Sequence, residues 1–280
     1  MTALKKRFAG RADVAGVIVI AAALTGAVFH SQAADPLYTI ANNNSFVDIN
    51  LGAQSPVGAV NWRVDSVDHL NLQWFWYRIG TTGPERSIDT ISNPTIIPTP
   101  GHQLDVTYAN SGLSVRVLYS LTGNNPGTGR SILGETITII NTLGYATNFH
   151  FFQYADFDLN GVTDGQSVTM SKAGPTWYKA VQTMGTRSIT ETVISGSQHV
   201  EAALYNETLA KLEDGSSTSF LDPASASGNV TFSFQWDLTL AAGASVQFSK
   251  TITLVPEPSA LALAGLGVVA WVIGRRRRLV

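Results

Sequence analysis

Val230-Thr-Phe-Ser-Phe-Gln-Trp-Asp-Leu-Thr-Leu240 alternates apolar and polar side chains along its whole length. A repeat of two is the signature of an extended strand, whose successive side chains point to opposite faces. Val230, Phe232, Phe234, Trp236, Leu238 and Leu240 are expected on one packed face. Thr231, Ser233, Gln235, Asp237 and Thr239 are expected toward water. A turn at residues 241–244 then leads into Val246, Phe248, Ile252 and Leu254 at the same spacing. This pattern predicts an antiparallel hairpin.

The same theme runs back along the chain. Leu113, Val115, Val117, Tyr119 and Leu121 alternate, a Gly/Asn/Pro loop covers residues 123–129, and residues 132–140 read as the returning strand. Residues 61–67, 70–79, 104–108 and 148–154 are further strand candidates. One stretch predicts a helix, His199 to Leu212, with Val200, Leu204 and Leu212 loosely periodic and Asp214-Gly215 as its stop. Many short strands divided by turn signals predict an all-β fold, an antiparallel β-sandwich of jelly-roll-like character. There are no cysteines, so no disulfide framework, thiol nucleophile or cysteine-based zinc site exists.

Downstream of the hairpin stands Val255-Pro256-Glu257-Pro258-Ser259, followed by an apolar run from Ala260 to Ile273 and then Arg275, Arg276, Arg277 and Arg278. The two prolines are expected to end the preceding strand and hold Glu257 in an extended segment. As a helix the apolar run is roughly 24 Å long, a little short for a bilayer core of about 30 Å. Thinning and snorkelling arginines accommodate such a mismatch, and the arginines keep the end of the chain cytoplasmic. This constellation resembles the PEP-CTERM sorting signal of Gram-negative bacteria, with motif 255–259, membrane helix 260–274 and basic tail 275–278. The resemblance implies cleavage near the P-E-P triplet by an exosortase, a membrane-embedded processing enzyme, with only transient residence in the inner membrane.

The opposite end agrees. Residues 1–34 read as a signal peptide, with a basic start, an apolar core from Val14 to Phe29, and small residues suited to cleavage after Ala33. The region between, residues 35–254, is thus expected outside the cytoplasm as one β-domain. The chain's net charge of −2 conceals its asymmetry: residues 35–254 hold 10 Lys and Arg against 18 Asp and Glu, a net charge of −8. Such an acidic domain argues against nucleic acid as a partner and is suited to holding cations.

Asp156-Phe-Asp158-Leu-Asn160-Gly161-Val162-Thr-Asp164 places oxygen side chains at positions one, three, five and nine, with glycine at six. That spacing matches the start of a calcium loop and resembles calcium loops set on β-hairpins more than an EF-hand, since position twelve is Ser167. Asp156, Asp158, Asn160 and Asp164 would offer side chains and Val162 its carbonyl. Asn-Gly is equally a hairpin turn signal, so both readings stay open. Trp74-Phe-Trp76-Tyr77 sends Trp74 and Trp76 to one face, where they are candidates for stacking on sugar rings; burial on both faces is the alternative.

No nucleophile elbow, phosphate loop or histidine pair accompanies these features, and the domain is expected not to be an enzyme. The expected function is an exported structural or adhesive component of the cell surface or its exopolysaccharide matrix. The alternative is a domain that binds or cleaves carbohydrate, through exposed tryptophans or a pair of carboxylates.

Overall fold

Residues 37–52 and 56–256 are described by a computed structural model of the chain. The chain opens with β1 (Leu37–Asn42), β2 (Ser45–Asn50) and β3 (Gly58–Val64). The two-residue β4 (Val67–Asp68) is followed by β5 (Leu72–Ile79), a short β6 (Arg86–Ser87), a 3-10 turn at Ile88–Thr90 and β7 (Thr95–Ile97). Next come β8 (Gln103–Ala109), β9 (Leu113–Gly123), β10 (Ser131–Asn141) and β11 (Thr147–Asp156). A second 3-10 turn, Leu159–Gly161, leads to β12 (Gln166–Ala173), β13 (Thr176–Met184), β14 (Arg187–Ser197) and β15 (His199–Leu204). Among the described residues one α-helix, α1 (Glu207–Glu213), precedes β16 (Ser225–Gly228), β17 (Val230–Leu240) and β18 (Ser245–Pro256).

The strands form two nine-stranded antiparallel sheets, as a sandwich requires. Sheet one runs β1-β2-β3-β5-β11-β17-β15, with β4 beside β3 and β6 beside β5; sheet two runs β16-β12-β13-β14-β18-β10-β9-β8-β7. The hairpin read from the sequence is therefore split: β17 lies in sheet one between β11 and β15, and β18 in sheet two between β14 and β10. The apolar face of β17 turns inward as expected. Trp236 meets Phe248 of β18 with ring centroids 4.9 Å apart, and Phe151 stacks on both Phe75 and Phe248. These rings join the two sheets.

Three expectations need correction. Thr231, Ser233 and Gln235 do not face water, because the outer face of sheet one is covered and all three are buried. His199 to Leu212 is not one helix: His199–Leu204 pairs with β17 as a strand, and only Glu207–Glu213 is helical. Val200, Ala202 and Leu204 also fit a period of two, and Asn206 breaks the chain with a φ of 67°. Finally, β18 runs through Pro256, whose Cα partner is Arg187 at the end of the ladder. A terminal strand position tolerates the missing N–H. The expected signal peptide, Glu257 to Ser259, the helix at 260–274 and the four arginines lie outside the described residues. Among the described residues no helix is long and apolar enough to cross a membrane.

Candidate functional site

The covering of sheet one is a strap, residues 205–224, that carries α1. It is pinned at its centre by a buried ion pair, Arg78 with Glu85, which also takes the Thr218 amide on Glu85 and gives a hydrogen bond from Arg78 to the Thr218 carbonyl. Phe220 lands edge-on against Phe152, and its amide donates to the Gln235 side chain. Beneath the strap the outer side chains of β11, β17 and β15 are largely polar. Tyr154, Thr231, Ser233 and Glu201 are buried there, each with a polar side-chain atom that has no hydrogen-bond partner. Such groups are costly to bury unless something polar reaches them.

This polar face opens at the end of β11. Asp156, the last residue of the strand, faces outward; Asn71 donates to one of its oxygens at 2.8 Å, and the other oxygen is buried without a partner. The following loop is bent by Asn160 and Gly161, with φ of 62° and 68°. The Asn160 amide donates to Nδ1 of the buried His69, so that histidine is an acceptor and neutral; burial pushes its pKa down to about 4. The Asp158 amide donates to the His69 carbonyl, which completes the bend. Asp156 and Asp158 then line one recess of about 300 Å³ with Asn71, Thr163, Tyr205 and Asn229. A smaller recess of about 210 Å³, lined by Asn61, Asp68, Leu70 and Gly161, shares Asn71 and Asp158.

Burial pushes the Asp156 carboxyl up to about 6; the hydrogen bond from Asn71 opposes this and the Asp158 charge adds to it. Burial also raises Asp158, helped by Asp68. The recess thus holds two adjacent carboxyls that keep protons more readily than free aspartates do. That property is what proton transfer near neutral pH requires.

The other residues singled out in the calcium spacing do not converge on the pair. Arg187 donates to the Asn160 side-chain oxygen at 3.1 Å, Gln166 donates to the Val162 carbonyl at 2.9 Å, and Asp164 accepts from the Gly165 amide at 2.7 Å. Among the described residues no group of three or more His, Asp or Glu side chains is arranged to hold a metal ion. Trp74 and Trp76 are both buried; Trp74 donates to Ser87 and meets Tyr108 edge-on, while Trp76 stands edge-on to Tyr154.

A second polar group, missed from sequence, lies farther along the same face. His150 Nδ1 is 2.6 Å from Asp237, His199 bridges toward Asp222 at 3.2 Å and Asp237 at 3.7 Å, and Gln235 donates to Asp237. Against the upward push of burial, hydrogen bonds from His150 and Gln235 hold the Asp237 carboxyl below its usual range. The signal was available: β11 and β17 carry polar residues at matching outward positions. That coincidence emerges only once the two strands are known to pair.

The sandwich is shared with carbohydrate-active enzymes. A bacterial glucoamylase complexed with acarbose superimposes with a TM-score of 0.57 at 10% identity, over 81% of this chain and 32% of its own. The present chain thus spans about a third of that enzyme. A putative aldose 1-epimerase from Escherichia coli K12 gives 0.53 at 8% identity, covering 79% of this chain and 99% of its own. A galactose mutarotase-like protein from Lactobacillus casei gives 0.51 at 11% identity, covering 78% and 99%. At such identities the likeness establishes the fold alone. It nevertheless overturns the expectation of a non-enzyme, because the sandwich is one on which carbohydrate-active enzymes are built. Residues 254–278 match the family described as the PEP-CTERM protein-sorting motif. The motif implies an exported protein that is processed by an exosortase. No curated protein matches the chain.

Proposed function

We propose that this chain is an exported carbohydrate-active protein that performs acid–base chemistry on a sugar held in the Asp156–Asp158 recess. The observation that carries the reading is the paired carboxyls themselves, with Asp156 raised to about 6 in a polar recess of about 300 Å³. That volume lies at the lower end of small-ligand pockets, roughly 300–1,000 Å³, and suits a single sugar ring or chain end. Asp156, neutral in slightly acidic medium, donates a proton to a ring or glycosidic oxygen. Asp158 supports the positive charge that develops, and Asn71, Asn229 and Tyr205 orient hydroxyls. The fold neighbours named glucoamylase, aldose epimerase and mutarotase support carbohydrate as the substrate class.

In this reading residues 1–34 serve export, residues 35–254 form the working domain and residues 255–280 the sorting tail. The tail delivers the domain to the outer surface or the extracellular exopolysaccharide, where its substrate lies. The test is to incubate the purified protein with a panel of aldoses and with extracellular polysaccharide from its host. Anomeric exchange is followed by NMR and new reducing ends by chemical assay. Turnover or binding is expected, and Asp156→Asn should lower the rate by roughly 10²–10⁴-fold, the usual worth of a positioned proton donor. Inert wild-type protein, or an unimpaired Asp156→Asn variant, would overturn the reading.

Calcium supplies a second reading, favoured by the unpartnered Asp156 oxygen beside Asp158. Calcium would need both carboxyls ionised, so its binding should weaken as pH falls below about 6. The wild-type melting temperature should then rise on adding calcium, and Asp158→Ala should abolish the rise.

A further inference from the structure

Between the two sheets the chain buries an ammonium and two carboxyls. Lys250 of β18 has Glu135 of β10 on one side and Glu191 of β14 on the other, and all three side chains are at most 1% exposed. Lys250 Nζ lies 2.9 Å from a Glu135 oxygen and 3.4 Å from a Glu191 oxygen. Glu135 and Lys250 are directly opposed in the β10–β18 ladder. With its amide in the orientation that satisfies both neighbours, Gln73, from sheet one, donates to Glu135 at 2.7 Å and accepts from Lys250 at 3.1 Å. Gln153 reaches Glu191 at 3.5 Å, and the Phe75 ring caps the ammonium with its centroid 5.3 Å away.

One ammonium cannot neutralise two carboxylates, so one acid keeps its proton. Burial pushes Glu191 up to about 7, and burial raises Glu135 against the pull of Lys250. Ions held this deep are poorly solvated. An amine and an acid pressed together in a water-excluded core also gain the advantage of fixed proximity.

We propose that Lys250 and Glu135 condense into an amide that cross-links β18 to β10, with Glu191 as the proton carrier. The Lys250 proton passes to Glu135, leaving a neutral amine against a neutral acid. The nitrogen lone pair forms the N–Cδ bond and one Cδ–O bond breaks. The departing oxygen leaves as water, taking a second proton relayed from the nitrogen through Glu191. Glu191 ends as it began, and no oxidant, reductant or cofactor takes part. Two buried charges are replaced by one neutral amide. In a chain without cysteine this link is the available covalent staple, and it fastens the strand that leads into the sorting motif.

The test is a tryptic digest of the purified, fully denatured wild-type chain, read by mass spectrometry. Trypsin does not cut after an acylated lysine. The expected product is a branched species joining residues 131–172 to the peptide that begins at Leu212 and continues past Lys250. It should be lighter by one water than its two parts. Recovery of unmodified 131–172 together with cleavage after Lys250 would overturn the proposal. So would a link that falls on Gln73 with loss of ammonia. In the Glu191→Gln variant, whose fold is checked by circular dichroism, the branched species should be lost. Its persistence would overturn the role given to Glu191.

Discussion

Asp156 sets the proposed chemistry against the stability of the fold. Its carboxyl is raised from 3.8 to about 6 by burial, so the folded state prefers the neutral acid. The stability this lends is fully present below about pH 4 and is lost as pH rises through about 6. A shift near two units corresponds to about 3 kcal/mol of penalty on the ionised form at neutral pH. Asp156→Asn removes that penalty. The variant should melt several degrees above the wild type at pH 7.5, and the gap should close by pH 4. His69 works in the opposite sense across the same range, since the unfolded chain binds its proton first as pH falls. The difference between the two proteins, measured by thermal denaturation across pH, isolates Asp156. A less stable Asp156→Asn at pH 7.5 would mean that its carboxylate is paired in the fold. The run from Asp156 to Asp164 was conspicuous in the sequence, and two of its carboxyls do share a recess. What spacing cannot show is that Arg187, from a distant strand, occupies Asn160, and that the nearby Gln166 turns back onto the Val162 carbonyl.

At the scale of the element, β17 shows how far alternation reaches. A period of two separates its side chains into two sets, and the aromatic set does fill the sandwich. Alternation does not say that the other set is wet; the strap decides that. Phe234→Ala should therefore cost about 3–5 kcal/mol as a cavity in a packed core. Thr231→Ala, fully buried beside Tyr154, removes a hydroxyl that has no partner, so its cost is the packing of one methyl group, about 1 kcal/mol. Chemical denaturation of both variants measures these costs. The strap depends on the Arg78–Glu85 pair, so Glu85→Ala leaves a buried guanidinium unpaired. Loss of one partner of a buried pair typically costs about 3–5 kcal/mol. Part of that loss should appear locally, as faster proteolysis after Lys211 on α1. Unchanged cleavage there would mean that Phe220 and Leu212 hold the strap without the ion pair. The strap was illegible in sequence because its anchor joins residues far apart in the chain, Arg78 and Thr218.

For the whole molecule, the number and spacing of alternating segments were enough to indicate an antiparallel sandwich. The order of strands was not, because β17 pairs with β11 and β15, and β18 with β10 and β14, across long separations. Because β18 continues to Pro256 and pairs there with Arg187, strand pairing reaches the residue before Glu257 of the sorting motif. A membrane-embedded protease that acts at this motif must therefore work directly beside a paired strand. Replacing Glu257 alters the motif and leaves the ladder intact, so uncut precursor should accumulate around a folded domain. Replacing Arg275, Arg276, Arg277 and Arg278 should instead weaken retention or reverse orientation, since the positive-inside bias is gone. Fraying the end of β18, as Ser188→Pro would do by removing a ladder donor opposite Val255, should unpair the residues just before the motif and speed cleavage. The ratio of precursor to mature protein in pulse-chase samples reads all three effects. Mass spectrometry of the wild-type mature chain supplies the decisive control. If that chain still carries Trp271, the tail is an anchor and is not cut.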